Sequence, residues 1–418
     1  MYTYSSETRI NVYPFTRQPS GDEIIIGRPD LSIFLALHRD YVEILDDFSA
    51  GRTFGEAEKL YYDRHAEIPD LADFLEILRT KHFVRPISSD ALPAARPAEE
   101  KPSPPTAFSK ASDFAARVLF SRIATSLWIM LVLAALVALA LVPELIPKRT
   151  ALFFPRHMFF FGISLLSFSL ATALLHELAH WLAARAEGVP ARIGFSHRLW
   201  ILVAETDITG IWALPKAKRL LPILAGPLID ATSASVIVLF LFAARRPWRT
   251  EHDLAVSVLE GLILSYILRL LWQCYLFVRT DFYYAAVMLL DCKDLMRDTT
   301  NFLKNRTRQI FRLEPKVDQS HIPAKERRMI RLYAVPFVLG RCLAFGVLFV
   351  IQLPTLGAYF NQIAKNLAAG HQAGFGEFVE SLLLGGIGVF SFLLGMYLWI
   401  KSLVSRRRPS NELQELPI

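Results

Sequence analysis

Three cysteines among 418 residues, Cys274, Cys292 and Cys342, are too few and too apolar in setting for a disulfide framework or a thiolate metal cluster. Charge is also scarce: 20% of residues are charged against 53% hydrophobic, the wrong balance for an ordinary soluble domain. An apolar start is missing too. Met1 to Phe15 is polar and has no core of signal-peptide length, so the first segment is expected to stay in the cytoplasm. Nor do the apolar runs show inverted repeats, which weakens a transporter reading. What charge there is divides unevenly. Residues 1–90 hold ten Lys/Arg against sixteen Asp/Glu, a net −6, and the remainder carries +13. An acidic front segment is a poor fit for nucleic-acid binding.

The apolar excess is gathered into runs near the ~20 residues that a bilayer requires. Six are legible: Thr125 to Val142, Met158 to Ala184, Leu220 to Ala244, Leu254 to Val278, Leu332 to Leu353 and Ser381 to Ile400. They predict a polytopic α-helical protein of the membrane, with the lipid bilayer as one partner. An even count places both termini on one side. The loop between Arg279 and Arg331 is dense in Lys and Arg, including Lys304, Arg306, Arg308, Arg327 and Arg328, and the tail adds Arg406 to Arg408. Cytoplasmic loops carry that excess, so both termini are expected in the cytoplasm of a multi-pass protein.

Ahead of the spans, residues 1–88 predict a small α+β domain of winged-helix-like form. Arg9 to Phe15, Glu23 to Gly27 and Ser32 to Leu37 read as strands, with turn chemistry at Ser20-Gly21-Asp22 and Arg28-Pro29-Asp30. Tyr41, Ile44, Leu45 and Phe48 recur at helical spacing, and Thr53 with Glu56 forms a capping box that opens a second helix. Leu71, Phe74, Leu75 and Leu78 mark a third, and Phe83-Val84 closes the unit as a strand. Residues 89–113, with Pro93, Pro97, Pro102, Pro104 and Pro105, read as an extended linker. The membrane domain follows over 114–405, with a basic cytoplasmic loop at 281–331 and a tail at 406–418.

The second span ends in His176-Glu177-Leu178-Ala179-His180. On a helix, residues four apart share a face, so both imidazoles can reach one Zn2+ while Glu177 addresses the water that the metal polarises. Ionisable groups within an apolar span are costly unless paired or metal-bound, which favours function over a pair of interfacial histidines snorkelling to water. Zinc hydrolases keep three protein ligands and one open position. Asp281, Asp291, Asp294 and Asp230 are the acids on offer. Topology favours Asp281, which directly follows the fourth span at the membrane face of His176 and His180. Asp230, Glu260, Arg269, Gln273 and Arg341 interrupt apolar runs, and structural pairing such as Asp230 with Arg269 is the expectation. His157, His197 and His321 read as interfacial or loop histidines, and Cys292 as a buried thiol.

Taken together, His176-Glu177-Leu178-Ala179-His180 at a span end, Ala225-Gly226-Pro227 in the next span, and Thr280-Asp281-Phe282-Tyr283-Tyr284 resemble the site-2 protease family of intramembrane zinc metallopeptidases. The resemblance covers about Met158 to Leu303. It implies zinc held by His176, His180 and Asp281, Glu177 as general base, and short strands within Arg192 to Lys216 where substrate lies extended. Gly226, Pro227 and Asp230 are then candidate substrate-binding positions. Two positions depart from the family pattern. Asp230 stands where Asn is common, and Thr280-Asp281-Phe282 replaces a common Leu-Asp-Gly.

The front segment is similar to PqqD-like domains, the peptide chaperones of ribosomal-peptide modification, through Asp46-Asp47-Phe48-Ser49-Ala50-Gly51-Arg52-Thr53-Phe54-Gly55-Glu56-Ala57 and Asp73-Phe74-Leu75-Glu76-Ile77-Leu78. It implies capture of a precursor's leader as an added strand at a sheet edge. The expected activity is therefore zinc-dependent hydrolysis of a peptide bond within or beside the bilayer, in a ribosomally made peptide. The competing expectation is a proteolytically idle membrane receptor or export partner that binds a leader.

Overall fold

A computed structural model describes residues 4–20, 23–28, 31, 33–67, 69–87, 107–155, 157–198, 201–244, 254–290, 292, 294–320 and 322–405. Most of the expected linker, the tail at 406–418, Asp291 and His321 lie outside the described residues. The chain forms two compact units. The first comprises 1–120, 181–192 and 207–222, and the second 121–180, 193–206 and 223–418.

In the first unit the expected strand Arg9 to Phe15 is shorter, ending at Val12, and a further strand that was not expected follows it. β1 (Arg9–Val12) and β2 (Thr16–Ser20) belong to different sheets, and Pro14, which has no amide to give a ladder, lies in the break between them. β2, β3 (Glu23–Arg28) and β4 (Ile33–His38) form an antiparallel sheet in that order. Helices α1 (Arg39–Ser49), α2 (Phe54–His65) and α3 (Leu71–Thr80) follow, and β5 (Val84–Ile87) returns to pair with β1. The capping box is present: Thr53 accepts the Glu56 amide, and Glu56 accepts the Thr53 amide at 2.9 Å. Ile26, Ile44, Leu45, Leu75, Leu78 and Phe83 are fully buried in one core.

α4 (Ala107–Leu119) corrects the linker boundary, which was expected to run to residue 113. Past Pro105 the sequence has no proline or glycine up to Leu119, so nothing stops a helix. Asp113 on α4 accepts from Arg185 Nε at 2.7 Å, and the β2–β3–β4 sheet packs on the 3₁₀ stretch Thr209–Ala213.

The second unit is helical. α5 (Arg122–Leu141), α6 (Met158–Ala186), α7 (Lys216–Ala243) and α8 (Leu254–Gln273) are each long and apolar enough to cross a membrane. So is the continuous helix Ala324–Ala369, made of α11 (Ala324–Val347) and α12 (Leu353–Ala369) joined by a π-helical turn at Leu348–Gln352. At 1.5 Å per residue its 46 residues run about 69 Å, well beyond a ~30 Å hydrocarbon layer. These five among the described residues fit a membrane protein, as do the exposed Phe160, Leu166, Leu170 and Leu174 along α6. The sixth expected span falls in α13 (Phe375–Ser405), where many of the later side chains lie outside the described residues. α5, α7 and α8 share a core of Ala135, Ala138, Val238, Leu241 and Ile263.

Two strands, β6 (Arg192–Arg198) and β7 (Ile201–Asp207), pair between α6 and α7. After α8 a tight turn leads to the short apolar helix α9 (Asp281–Leu290), then α10 (Leu295–Ile310). Tyr333 of α11 donates to the Leu276 carbonyl within that turn, and Gly340 lets α11 approach it. A Cβ at Gly340 would lie 2.7 Å from the Cys274 carbonyl oxygen.

Candidate metal centre

Helical periodicity places His176 and His180 one turn apart on α6, with their Nε2 atoms 3.2 Å apart. Both residues are buried. Asp281, the first residue of α9, brings Oδ2 to 3.2 Å from His176 Nε2 and 3.5 Å from His180 Nε2. Each of the three offers one ligand atom to a common point, and the group could hold a metal ion. Burial works against ionisation of Asp281, but hydrogen bonds and charge from His176 and His180 outweigh it and hold its carboxyl well below the usual carboxylate range.

The turn before α9 sets the third group. Gln273, the last residue of α8, accepts the Asp281 amide on its side-chain oxygen at 3.0 Å and donates from Nε2 to Asp281 Oδ2 at 2.9 Å. Thr280 donates its hydroxyl to the Gln273 carbonyl at 2.9 Å. The polar residue expected only to interrupt an apolar run thus aims the third carboxylate.

No protein-family model, curated protein or solved structure matches this chain.

The polar residues of the neighbouring spans support the histidines. Asp230 of α7 is buried, with Oδ2 2.8 Å from His176 Nδ1 and Oδ1 accepting from Arg269 at 3.0 Å. Arg269 also donates to the Thr172 hydroxyl at 2.7 Å. A carboxylate on Nδ1 fixes the proton there and turns the Nε2 lone pair toward the ligand point. The expected Asp230–Arg269 pair is present, and it extends to His176. Both Asp230 oxygens are thereby engaged by protein. Pro227 is buried within α7. Gly226 lies against the imidazoles: a Cβ there would sit 2.4 Å from both His176 Nε2 and His180 Nε2.

Of the other acids considered, Asp294 pairs with Arg297 at 2.6 Å and is not in the cluster. Arg341 stacks on Phe337, 4.8 Å from the ring centre, and His157 lies 3.6 Å from Glu380. Cys292 is buried as expected. Sequence reasoning missed Thr206. Its amide donates to Glu177 Oε2 at 2.9 Å and its hydroxyl to the Glu177 carbonyl at 2.9 Å.

Proposed function

We propose that this protein is a membrane-embedded zinc metallopeptidase of the site-2 protease kind, acting on a ribosomally made peptide presented by its N-terminal PqqD-like domain. The observation that carries the reading is the convergence of His176, His180 and Asp281 beside Glu177. Four ligands at Zn–N and Zn–O distances near 2.0–2.1 Å in a tetrahedron lie about 3.3 Å apart. The separations of 3.2, 3.2 and 3.5 Å match that edge length, and two imidazoles with one carboxylate suit zinc. The Gly226 backbone leaves room that any side chain would fill.

Zinc bound there would supply Lewis acidity, lowering the pKa of a bound water and polarising the scissile carbonyl. The chain's own residues do the rest. Glu177 holds Oε2 on the Thr206 amide, so Oε1 is the atom to accept a proton from the attacking water and return it to the leaving amine. Asp230, itself held by Arg269, keeps His176 in the tautomer that presents Nε2. Gln273 keeps Asp281 facing both histidines. The β6–β7 pair offers the kind of backbone edge on which a peptide can lie extended. In the membrane, the reading takes six spans with the sixth in α13 and both termini cytoplasmic.

Metal analysis with a peptide assay tests this. Purified protein should hold about one zinc per chain. His180→Ala and Asp281→Ala should lose it, whereas Glu177→Gln should keep zinc and lose hydrolysis. Full zinc retention in Asp281→Ala would remove that residue from the ligand set. Unchanged hydrolysis in Glu177→Gln would remove the general base.

A further inference from the structure

Glu177, one residue after His176, has three side-chain torsions, and fixing them costs conformational entropy. Something must hold it. The only protein donor to its carboxylate among the described residues is the backbone amide of Thr206, at 2.9 Å from Oε2. A backbone donor has no rotamers of its own, and a bond to a carboxylate is stronger than a neutral one. The same residue makes a second contact, its hydroxyl donating to the Glu177 carbonyl oxygen at 2.9 Å. One bond orients the carboxylate, and the other ties the strand to the helix at that residue.

Strand alternation explains why this amide is free for the task. In an antiparallel pair each residue turns both its backbone groups either toward its partner or away. The Thr206 amide is bound to Glu177, so it faces away from β6. The preceding residue lies close to β6: a Cβ at Gly194 would lie 3.8 Å from the Glu205 carbonyl oxygen, in ordinary contact across the pair. Thr206 therefore spends its amide on Glu177.

We propose that Thr206 is a positioning residue for the general base: its amide sets the orientation of the Glu177 carboxylate, and its hydroxyl locks β7 to α6 so that the orientation persists. The inference rests on the proteolytic reading above. It differs from a purely structural anchor, which would affect folding or substrate binding alone. It differs also from an inhibitory clamp, whose release would raise activity.

The test uses the full chain in detergent or lipid, with Thr206→Ser, Thr206→Val and Thr206→Pro. An edge amide can be replaced by proline without loss of a ladder bond. Thr206→Pro should keep its zinc and lower kcat about 100-fold, the scale of a misplaced catalytic group, with KM little changed. Thr206→Ser should restore wild-type kcat, and Thr206→Val, which keeps the amide and loses the hydroxyl, should fall between. Independently of turnover, amide hydrogen exchange over residues 201–207 should quicken in Glu177→Ala, with metal present or removed. Wild-type kcat in Thr206→Pro, a raised kcat, or a change confined to KM would overturn the proposal. Should Thr206→Pro fail to fold, equal kcat in Thr206→Val and Thr206→Ser, or exchange indifferent to Glu177→Ala, would overturn it. If the wild-type protein hydrolyses no peptide, the proteolytic reading fails, and the exchange measurement still decides whether Thr206 and Glu177 are coupled.

Discussion

At the scale of single residues, the site is built as much by an absent atom as by its ligands. Alanine is the better helix former by about 1 kcal/mol, so Gly226→Ala should stabilise α7 if helix propensity ruled. The added Cβ would instead stand 2.4 Å from both Nε2 atoms, closer than any carbon can approach without moving the rings. Gly226→Ala should therefore fold, with a helical spectrum like the wild type, and bind no zinc. Stoichiometric zinc in that variant would mean the imidazoles are not packed as described. His176, Glu177 and His180 were legible because a fixed spacing on a helix is itself the signal. Asp281 was legible through its place after a span. Asp230 and Arg269 were visible as a pair, but their link to His176 depends on how α6, α7 and α8 pack, which no local pattern encodes. Thr206 left no trace at all, since its contribution is a backbone amide that every residue but proline carries.

The elements tell a similar story of local against distant information. α1, α2 and α3 follow from apolar spacing and a capping box. The end of the first strand at Val12 and the start of β2 at Thr16 depend on which sheet each strand joins. Truncating Ile44, which is fully buried in the N-terminal core, to alanine should cost about 2–5 kcal/mol. Its effect should stay within the first unit: the unfolding temperature of that unit falls, and zinc content is unchanged. Loss of zinc along with the domain would show that the metal site depends on it. α4 was hidden by its neighbours, because a proline-rich composition drew the linker through its first turns. Its buried face holds Ala116, whereas Phe114 is 72% exposed and Val118 51%, four residues before Arg122 opens the first apolar span. A helix with that bare face leading into a span is built to rest on a bilayer surface. Fluorophores on Phe114→Cys and Val118→Cys should be quenched by a lipid-dissolved quencher in vesicles, and quenching from water alone would reject the placement.

For the whole molecule, five of the six expected spans were readable from composition as helices long and apolar enough to cross a bilayer. The full length of the fifth was not, since the apolar run from Leu332 to Leu353 gives no hint of a helix continuing to Ala369. The proposed topology makes a direct prediction: cysteines placed near Arg306 and near Gln372 should react with an impermeant reagent from opposite sides. Labelling of both from one side would break the six-span arrangement. The Asp230–Arg269 bond carries a consequence for biogenesis. Before helices assemble, each span must leave the insertion machinery with its own charge, at a cost near 3 kcal/mol for an ionised group at mid-helix. α7 and α8 are consecutive, so they can enter as a hairpin whose two penalties cancel, and the carboxylate that aims His176 then also admits α8 to the bilayer. Asp230→Ala would strand Arg269 and should deplete the protein from membranes during synthesis, before any metal is bound. Adding Arg269→Met should restore its abundance while leaving zinc affinity impaired, separating the toll of entering the membrane from the task performed there.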